Sequence, residues 1–209
     1  LLQKKVERLS TEVGMNYKFL GSVSTSILND IKLNVESRRN STKQFEVIFP
    51  EHIEQLYQAV FPPAFQSIIE HSKVFVTAPG YSYPIHKDGY DKKCALNIAI
   101  DCNLTDWVRW YSADAIITSG GVEQLNHGKY HDGTQYYSRN VKIKNIEDVQ
   151  PVEEIHNHPG DVYLVNTDVY HTFKNNGDSD RLIIQTKFKD NLSIDEVYSK
   201  VQEMGLNFQ

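Results

Sequence analysis

The sequence predicts a mainly β protein, a jelly roll with an N-terminal helical layer packed against one of its sheets. Three observations carry this reading. Apolar residues at helical spacing dominate the first third of the chain. From Lys73 onward short β-rich runs succeed one another, and Gly, Pro, Asn and Asp lie between them, the pattern of an antiparallel sandwich or barrel. Helices ahead of such a set have a sheet face to cover.

The helical part comes first. Ile27, Leu28, Ile31 and Val35 share one face, and Ser24, Thr25 and Ser26 precede them as cap candidates, which predicts a helix over 24–35. Ile53, Leu56, Tyr57 and Val60 predict a second helical stretch over 51–72, which Pro62 and Pro63 break in two. Strands are predicted at 74–77, 85–88, 94–101, 107–111, 162–165, 170–174 and 182–188. The run 94–101 alternates: Cys94, Leu96, Ile98 and Ile100 are bulky and suited to lie under helices, whereas Ala95, Asn97, Ala99 and Asp101 are small or polar, as a ligand-holding interior requires. Between 113 and 154, Ser119, Gly120, Gly121, Gly128 and Gly133 interrupt the pattern, Tyr130, His131, Tyr136 and Tyr137 are scattered, and only 141–143 reads as strand. An insertion of this length reads equally as a lid or as a surface excursion with a short hairpin. The whole of 1–209 is expected to form one domain: 1–73 mainly helical support, 74–188 the jelly-roll core, 189–209 a C-terminal helical segment. Met15 opens the first patterned segment, and residues 1–14 read as a dispensable extension.

Composition narrows the partners. With 22 basic and 27 acidic residues, a net charge of -5 and no stripe of Lys or Arg, nucleic acid is a poor expectation. The longest apolar runs are strand-sized, so no membrane anchor is expected. Cys94 and Cys102 flank one strand, roughly 26 Å apart at ~3.3 Å per residue, too far to pair. Unpaired thiols fit a reducing, cytoplasmic setting. Nothing in the sequence sets an oligomeric state.

Chemistry enters with His86 and Asp88. In extended chain, side chains at i and i+2 point the same way, so an imidazole and a carboxylate converge. An H-x-D triplet alone is common. A second histidine, His171, late in the β-rich region makes a two-His, one-carboxylate set, which binds one face of a non-haem iron and leaves positions open. Arg181 follows ten residues later. If residues 174–178 turn a hairpin centred on Asn176, His171 and Arg181 face each other with Cβ atoms ~5 Å apart, and the guanidinium could clamp the far carboxylate of a metal-bound dicarboxylate. Asn97 is a candidate for a further co-substrate contact, against a strand Asn satisfied by backbone. Tyr83 is another, against a half-buried strand Tyr.

H-x-D, a distal His and an Arg ten residues beyond it resemble the iron(II)- and 2-oxoglutarate-dependent oxygenase superfamily over about residues 74–188. Tyr83 to Asp88 is similar to the Y-x-x-H-x-D of prolyl hydroxylases, and His171 to Asn175 leading to Arg181 is similar to the aspartyl and asparaginyl hydroxylase type, although the aspartyl β-hydroxylases proper lack the carboxylate that Asp88 supplies. The resemblance implies a double-stranded β-helix, Fe(II) held by His86, Asp88 and His171 as the catalytic centre, and 2-oxoglutarate held by Arg181 with Asn97 and Tyr83. It also implies dioxygen as reactant, succinate and CO2 as products, and hydroxylation of an aliphatic carbon in a peptide, amino acid or other small substrate. Two alternatives stay open: a cupin-like metalloenzyme without 2-oxoglutarate, and a non-catalytic jelly-roll binding module.

The remaining histidines have blander readings. His156 and His158 sit at a Pro-Gly turn without a carboxylate at matching spacing. His127 and His131 read as loop residues near a substrate. His52 and His71 belong to the predicted helical part and are expected to face solvent.

Overall fold

The computed structural model describes residues 16–50, 53–89, 92–129 and 135–206. Its elements run β1 (Tyr17–Ser22), α1 (Thr25–Arg38), β2 (Phe45–Ile48), α2 (Ile53–Val60), α3 (Pro63–Gln66), β3 (Ile69–Thr77), β4 (His86–Asp88), β5 (Cys94–Asp101), β6 (Trp107–Tyr111), α4 (Ala113–Thr118), β7 (Val122–Lys129), β8 (Gln135–Lys142), β9 (Glu153–Ile155), β10 (Asp161–Asn166), β11 (Tyr170–Lys174), β12 (Arg181–Phe188) and α5 (Ile194–Glu203). One sheet has the order β1-β10-β5-β12-β3-β2 and the other β7-β8-β4-β11-β6-β9. Neighbours within both sheets are antiparallel. From β3 to β6 the chain alternates between the sheets, and it does so again from β9 to β12. This is the expected jelly roll in its double-stranded β-helix form.

β5 is buried on both faces because it lies between two layers of apolar partners. Its even residues Leu96, Ile98 and Ile100 join Leu28, Ile31 and Val35 of α1, Tyr57 of α2 and Val197 of α5 in the core beneath the helices. Its odd residues Ala95 and Ala99 face Val108, Trp110, Tyr163 and Ile183 between the sheets. The period of two thus separates the face under the helices from the face between the sheets, except at Asp101, expected on the interior face: the register with β12 shifts there and its carboxylate pairs with Lys32 of α1 instead. A third cluster, Ile85, Tyr111, Ile116, Val141 and Val149, covers the outside of the second sheet beneath α4.

Three expectations need correction. Residues before 74 are not helical alone: β1 and β2 lie among them, and β3 begins at Ile69. Both extra strands are short edges that pair on one side only, β1 with β10 and β2 with β3, and so carry little pattern of their own. His71 accordingly lies on a strand, half-buried, its pKa lowered by burial and by Lys73; His52 falls outside the described residues, as do Tyr130, His131 and Gly133. Finally, His171 and Arg181 are not cross-strand partners. β11 sits between β4 and β6 in one sheet, β12 between β5 and β3 in the other, and residues 175–180 cross between them.

Asn175 holds that crossing. Its buried amide donates to the carbonyls of Thr77 (2.8 Å) and Ser179 (2.7 Å) and accepts from the Gly177 N–H (2.8 Å). Asn175→Ala would strand carbonyls in the interior, where each orphan costs about 1–3 kcal/mol. We expect a loss of about 2–4 kcal/mol in urea unfolding; a change under ~0.5 kcal/mol would show that the crossing is held elsewhere.

Candidate functional site

β4 is only three residues long, yet its alternation puts His86 and Asp88 on the same face, and His171 of β11 pairs directly with His86. The two imidazole centroids lie 4.2 Å apart. Each ring is oriented by the carbonyl two residues before it: His86 Nδ1 lies 3.0 Å from Pro84 O, and His171 Nδ1 2.8 Å from Val169 O. A carbonyl only accepts, so the proton is on Nδ1 and each Nε2 keeps its lone pair, the tautomer in which histidines bind metals. The Asp88 N–H donates to Thr167 O at 2.9 Å, which fixes the carboxylate's base.

Protonation states agree with this arrangement. Burial pushes His86 down to about 3, helped by His171 and opposed by Asp88. His171 is lowered as well, mainly by burial. Burial alone would raise Asp88, but Lys92, joined by the two imidazoles, holds it at about 2. Two neutral imidazoles and an ionised carboxylate are the donor forms a divalent metal needs.

Asp88 is nevertheless engaged elsewhere. Lys92 Nζ stands 2.7 Å from its Oδ2, leaving Oδ1 3.8 Å from His86 Nε2. Adjacent donors on an octahedral ion are about 3 Å apart at metal–ligand distances of ~2.1 Å. Among the described residues, no three His, Cys, Asp or Glu side chains already stand in coordination geometry. The donor chemistry fits a metal; closing the set draws Asp88 Oδ1 towards the imidazoles against the hold of Lys92 on Oδ2.

Arg181 begins β12, paired with Thr77, and is 4% exposed. Its Cζ lies 5.3 Å over the Phe173 ring, its Nε has no hydrogen-bond partner, and no carboxylate pairs with it among the described residues. A buried guanidinium without a counter-ion is costly, so this one is poised for an anion. The Asn97 Oδ1 is buried and unpartnered too. Tyr83 meets His86 edge-on at 4.7 Å and stacks on Phe173 at 5.1 Å; burial first, then Asp88, raises its pKa and keeps it a neutral phenol.

All six residues singled out in the sequence, His86, Asp88, His171, Arg181, Asn97 and Tyr83, line one cavity of about 410 Å³. Although β11 and β12 belong to different sheets, the sheets face each other, so His171 and Arg181 still look into the same space. Sequence reasoning missed Lys92, Gln185 and Phe45 here. Gln185 was legible, being on the alternating face that includes Arg181; Lys92 lies in a loop and Phe45 on an edge strand, neither with a local signal. From the 113–154 insertion, α4 covers the outside of the second sheet, while the β7–β8 hairpin extends that sheet and brings Asn126, Lys129, Tyr136, Tyr137 and Ser138 to the cavity. The other described histidines do not line it. His127 is exposed on β7, His158 is exposed in its turn, and His156 contacts Asp106 O and Glu154. No helix among the described residues is long and apolar enough to cross a membrane.

No family model matches the chain, and no curated protein matches it. Solved structures of similar shape include the non-heme alpha ketoglutarate dependent carbocyclase SnoK from nogalamycin biosynthesis (12% identity, TM-score 0.47, covering 83% of this chain and 79% of that one). A Pseudomonas putida prolyl-4-hydroxylase is also similar (11% identity, TM-score 0.44, 83% and 91%). So is peruvianin-I, a cysteine peptidase from Thevetia peruviana latex, of whose length the chain spans about half (14% identity, TM-score 0.29, 55% and 47%).

Proposed function

We propose that the protein is an iron(II)- and 2-oxoglutarate-dependent oxygenase that hydroxylates an aliphatic carbon of a small substrate. The observation that carries this is the buried Arg181, without a carboxylate partner among the described residues, facing the same cavity as two neutral imidazoles and an ionised carboxylate. A cupin-like metalloenzyme without a keto acid has no use for that cation, and a binding module has no use for the donor set.

In this reading, bound iron supplies the reactivity, coupling dioxygen to decarboxylation of 2-oxoglutarate into succinate and CO2 and to oxidation of the substrate. His86, His171 and Asp88 hold the ion on one face. Arg181 fixes the far carboxylate of the co-substrate through its planar fork, with the Asn97 amide and the Tyr83 phenol as further polar contacts. Phe45, Phe75 and Phe173, in ring contact with one another or with Tyr83, exclude water on that side.

The test is a titration of the anaerobic Fe(II) protein with 2-oxoglutarate, followed by the visible absorption of a keto acid chelated to iron. A saturable band is expected. Metal binding without any response to 2-oxoglutarate would favour the cupin-like alternative, and no metal binding would favour the binding module.

Lys92 gives a second test. Because its ammonium competes with a metal for the Asp88 carboxylate, Lys92→Met is expected to tighten Mn(II) binding in calorimetry. Separating one partly buried ion pair costs about 1 kcal/mol, roughly fivefold in affinity. Weaker or unchanged binding would mean that Lys92 does not compete for the carboxylate.

A further inference from the structure

The chain is acidic overall, 22 basic against 27 acidic residues, yet the cavity reverses the balance: Lys43, Lys92, Lys129 and Arg181 line it against Glu46 and Asp88. Lys43 is matched by Glu46 at 3.3 Å. Arg181, on the proposed oxygenase reading, takes the co-substrate. Lys92 is matched, among the described residues, by Asp88 alone, at 2.7 Å from Oδ2, and on that reading a metal competes with it for the carboxylate. The Lys92 side chain is 14% exposed, so its ammonium cannot simply turn into bulk water and stays at the cavity wall beside the Gln185 amide oxygen. Lys129, at the end of β7, pairs with no carboxylate among the described residues and lines the cavity from the opposite sheet to β2. Two cations therefore face the volume left for the substrate, Lys92 largely buried and Lys129 exposed, and a cleft lined by one sign of charge concentrates anions. The adjoining wall is aromatic. Phe45 stacks on Phe75 with centroids 5.4 Å apart and leans on Tyr83 at 4.8 Å, with Phe49 further along the same lining. About 410 Å³ is the size of a small-molecule site rather than of a groove for a long chain.

We propose that the substrate oxidised in this cavity is a small organic anion with a flat or apolar body, lying against Phe45 and Tyr83 with its carboxylate or phosphate held by Lys92 and Lys129. This rests on the oxygenase reading for the release of Lys92 from Asp88.

The experiment measures equilibrium binding of three probes, 3-phenylpropanoate, phenethyl phosphate and the neutral 3-phenylpropanamide, to the protein carrying Mn(II) and 2-oxoglutarate. The better of the two anions is expected to bind at least about tenfold tighter than the amide, about 1.4 kcal/mol of preference, and which anion wins distinguishes a carboxylic acid from a phosphate ester. Lys92→Met with Lys129→Ala should abolish the preference by weakening the anion and leaving the amide unchanged. Equal binding of amide and anions, or binding of none of the three, overturns the proposal. Arg181→Leu, assayed with Mn(II) alone, must keep the preference; its loss there would put the anion in the co-substrate's place and overturn the proposal as well. The oxygenase reading is judged separately by whether 2-oxoglutarate itself binds the Fe(II) protein, so the two can fail independently.

Discussion

Arg181→Leu should leave Fe(II) binding close to that of the wild type and weaken 2-oxoglutarate binding by roughly 30-fold to several thousand-fold. The guanidinium is no metal ligand, whereas loss of a buried, hydrogen-bonded charge pair costs ~2–5 kcal/mol at ~1.4 kcal/mol per decade. Burial puts this residue towards the upper end, since at 4% exposure water cannot replace the fork. Leucine also removes an unpaired buried charge from the free protein, so the variant should be at least as stable to urea as the wild type. Arg181→Lys should fall between, keeping the charge without the two parallel donors. The readout is the anaerobic keto acid titration for all three proteins. Equal 2-oxoglutarate affinity in wild type and Arg181→Leu would place the anchor elsewhere and leave the unpaired guanidinium unexplained.

The second large effect is on the metal. His86→Ala or His171→Ala should each abolish tight Fe(II) or Mn(II) binding, because removing one of three donors leaves two, too few for a facial set. Calorimetry showing unchanged affinity in both would dismiss the assignment. The pH dependence has a defined sign. An exposed histidine, with its ordinary pKa near 6.5, would begin to lose metal to protons just below neutral pH. Here burial lowers both imidazoles, His86 to about 3, so protons compete less than they would for exposed rings. Metal affinity should therefore fall less between pH 7 and about 5.5 than a site of solvated imidazoles would show. A loss centred near 6.5 would mean that the imidazoles are solvated. The same shifts bear on the metal-free fold. An imidazole that titrates near 6.5 when unfolded and lower when folded contributes stability that is full above the unfolded value and is lost as pH falls towards the folded one.

Much of the core was legible because period and burial are local. β5, β6 and β11 lie where their apolar and turn residues placed them, and the two faces of β5 divide between helices and interior as their bulk implied, Asp101 excepted. The edge strands β1 and β2 were not legible, since what makes them strands is the free edge of β10 and of β3, far away in sequence. Phe45 was lost to view with them. Lys92 was invisible for a related reason: its partners, Asp88 and Gln185, lie on strands of opposite sheets.

By itself, the sequence determined the chemical inventory: His86 and Asp88 two apart on a strand, a distant His171, an Arg181 in an acidic chain, and small residues on one face of β5. These are matters of side-chain type and of the two-residue repeat of extended chain, which no tertiary contact is needed to establish. Only the tertiary structure decided how the inventory meets. A local hairpin would have put His171 and Arg181 side by side on one sheet; instead the chain crosses at Asn175, and the two residues look at each other across the interior from opposite sheets. The reason is that both β11 and β12 are flanked on each side, by β4 and β6 and by β5 and β3, so their backbone ladders are made with strands remote in sequence rather than with each other. That arrangement sets His86, Asp88 and His171 on one sheet and Arg181 on the other, with the cavity of about 410 Å³ between them.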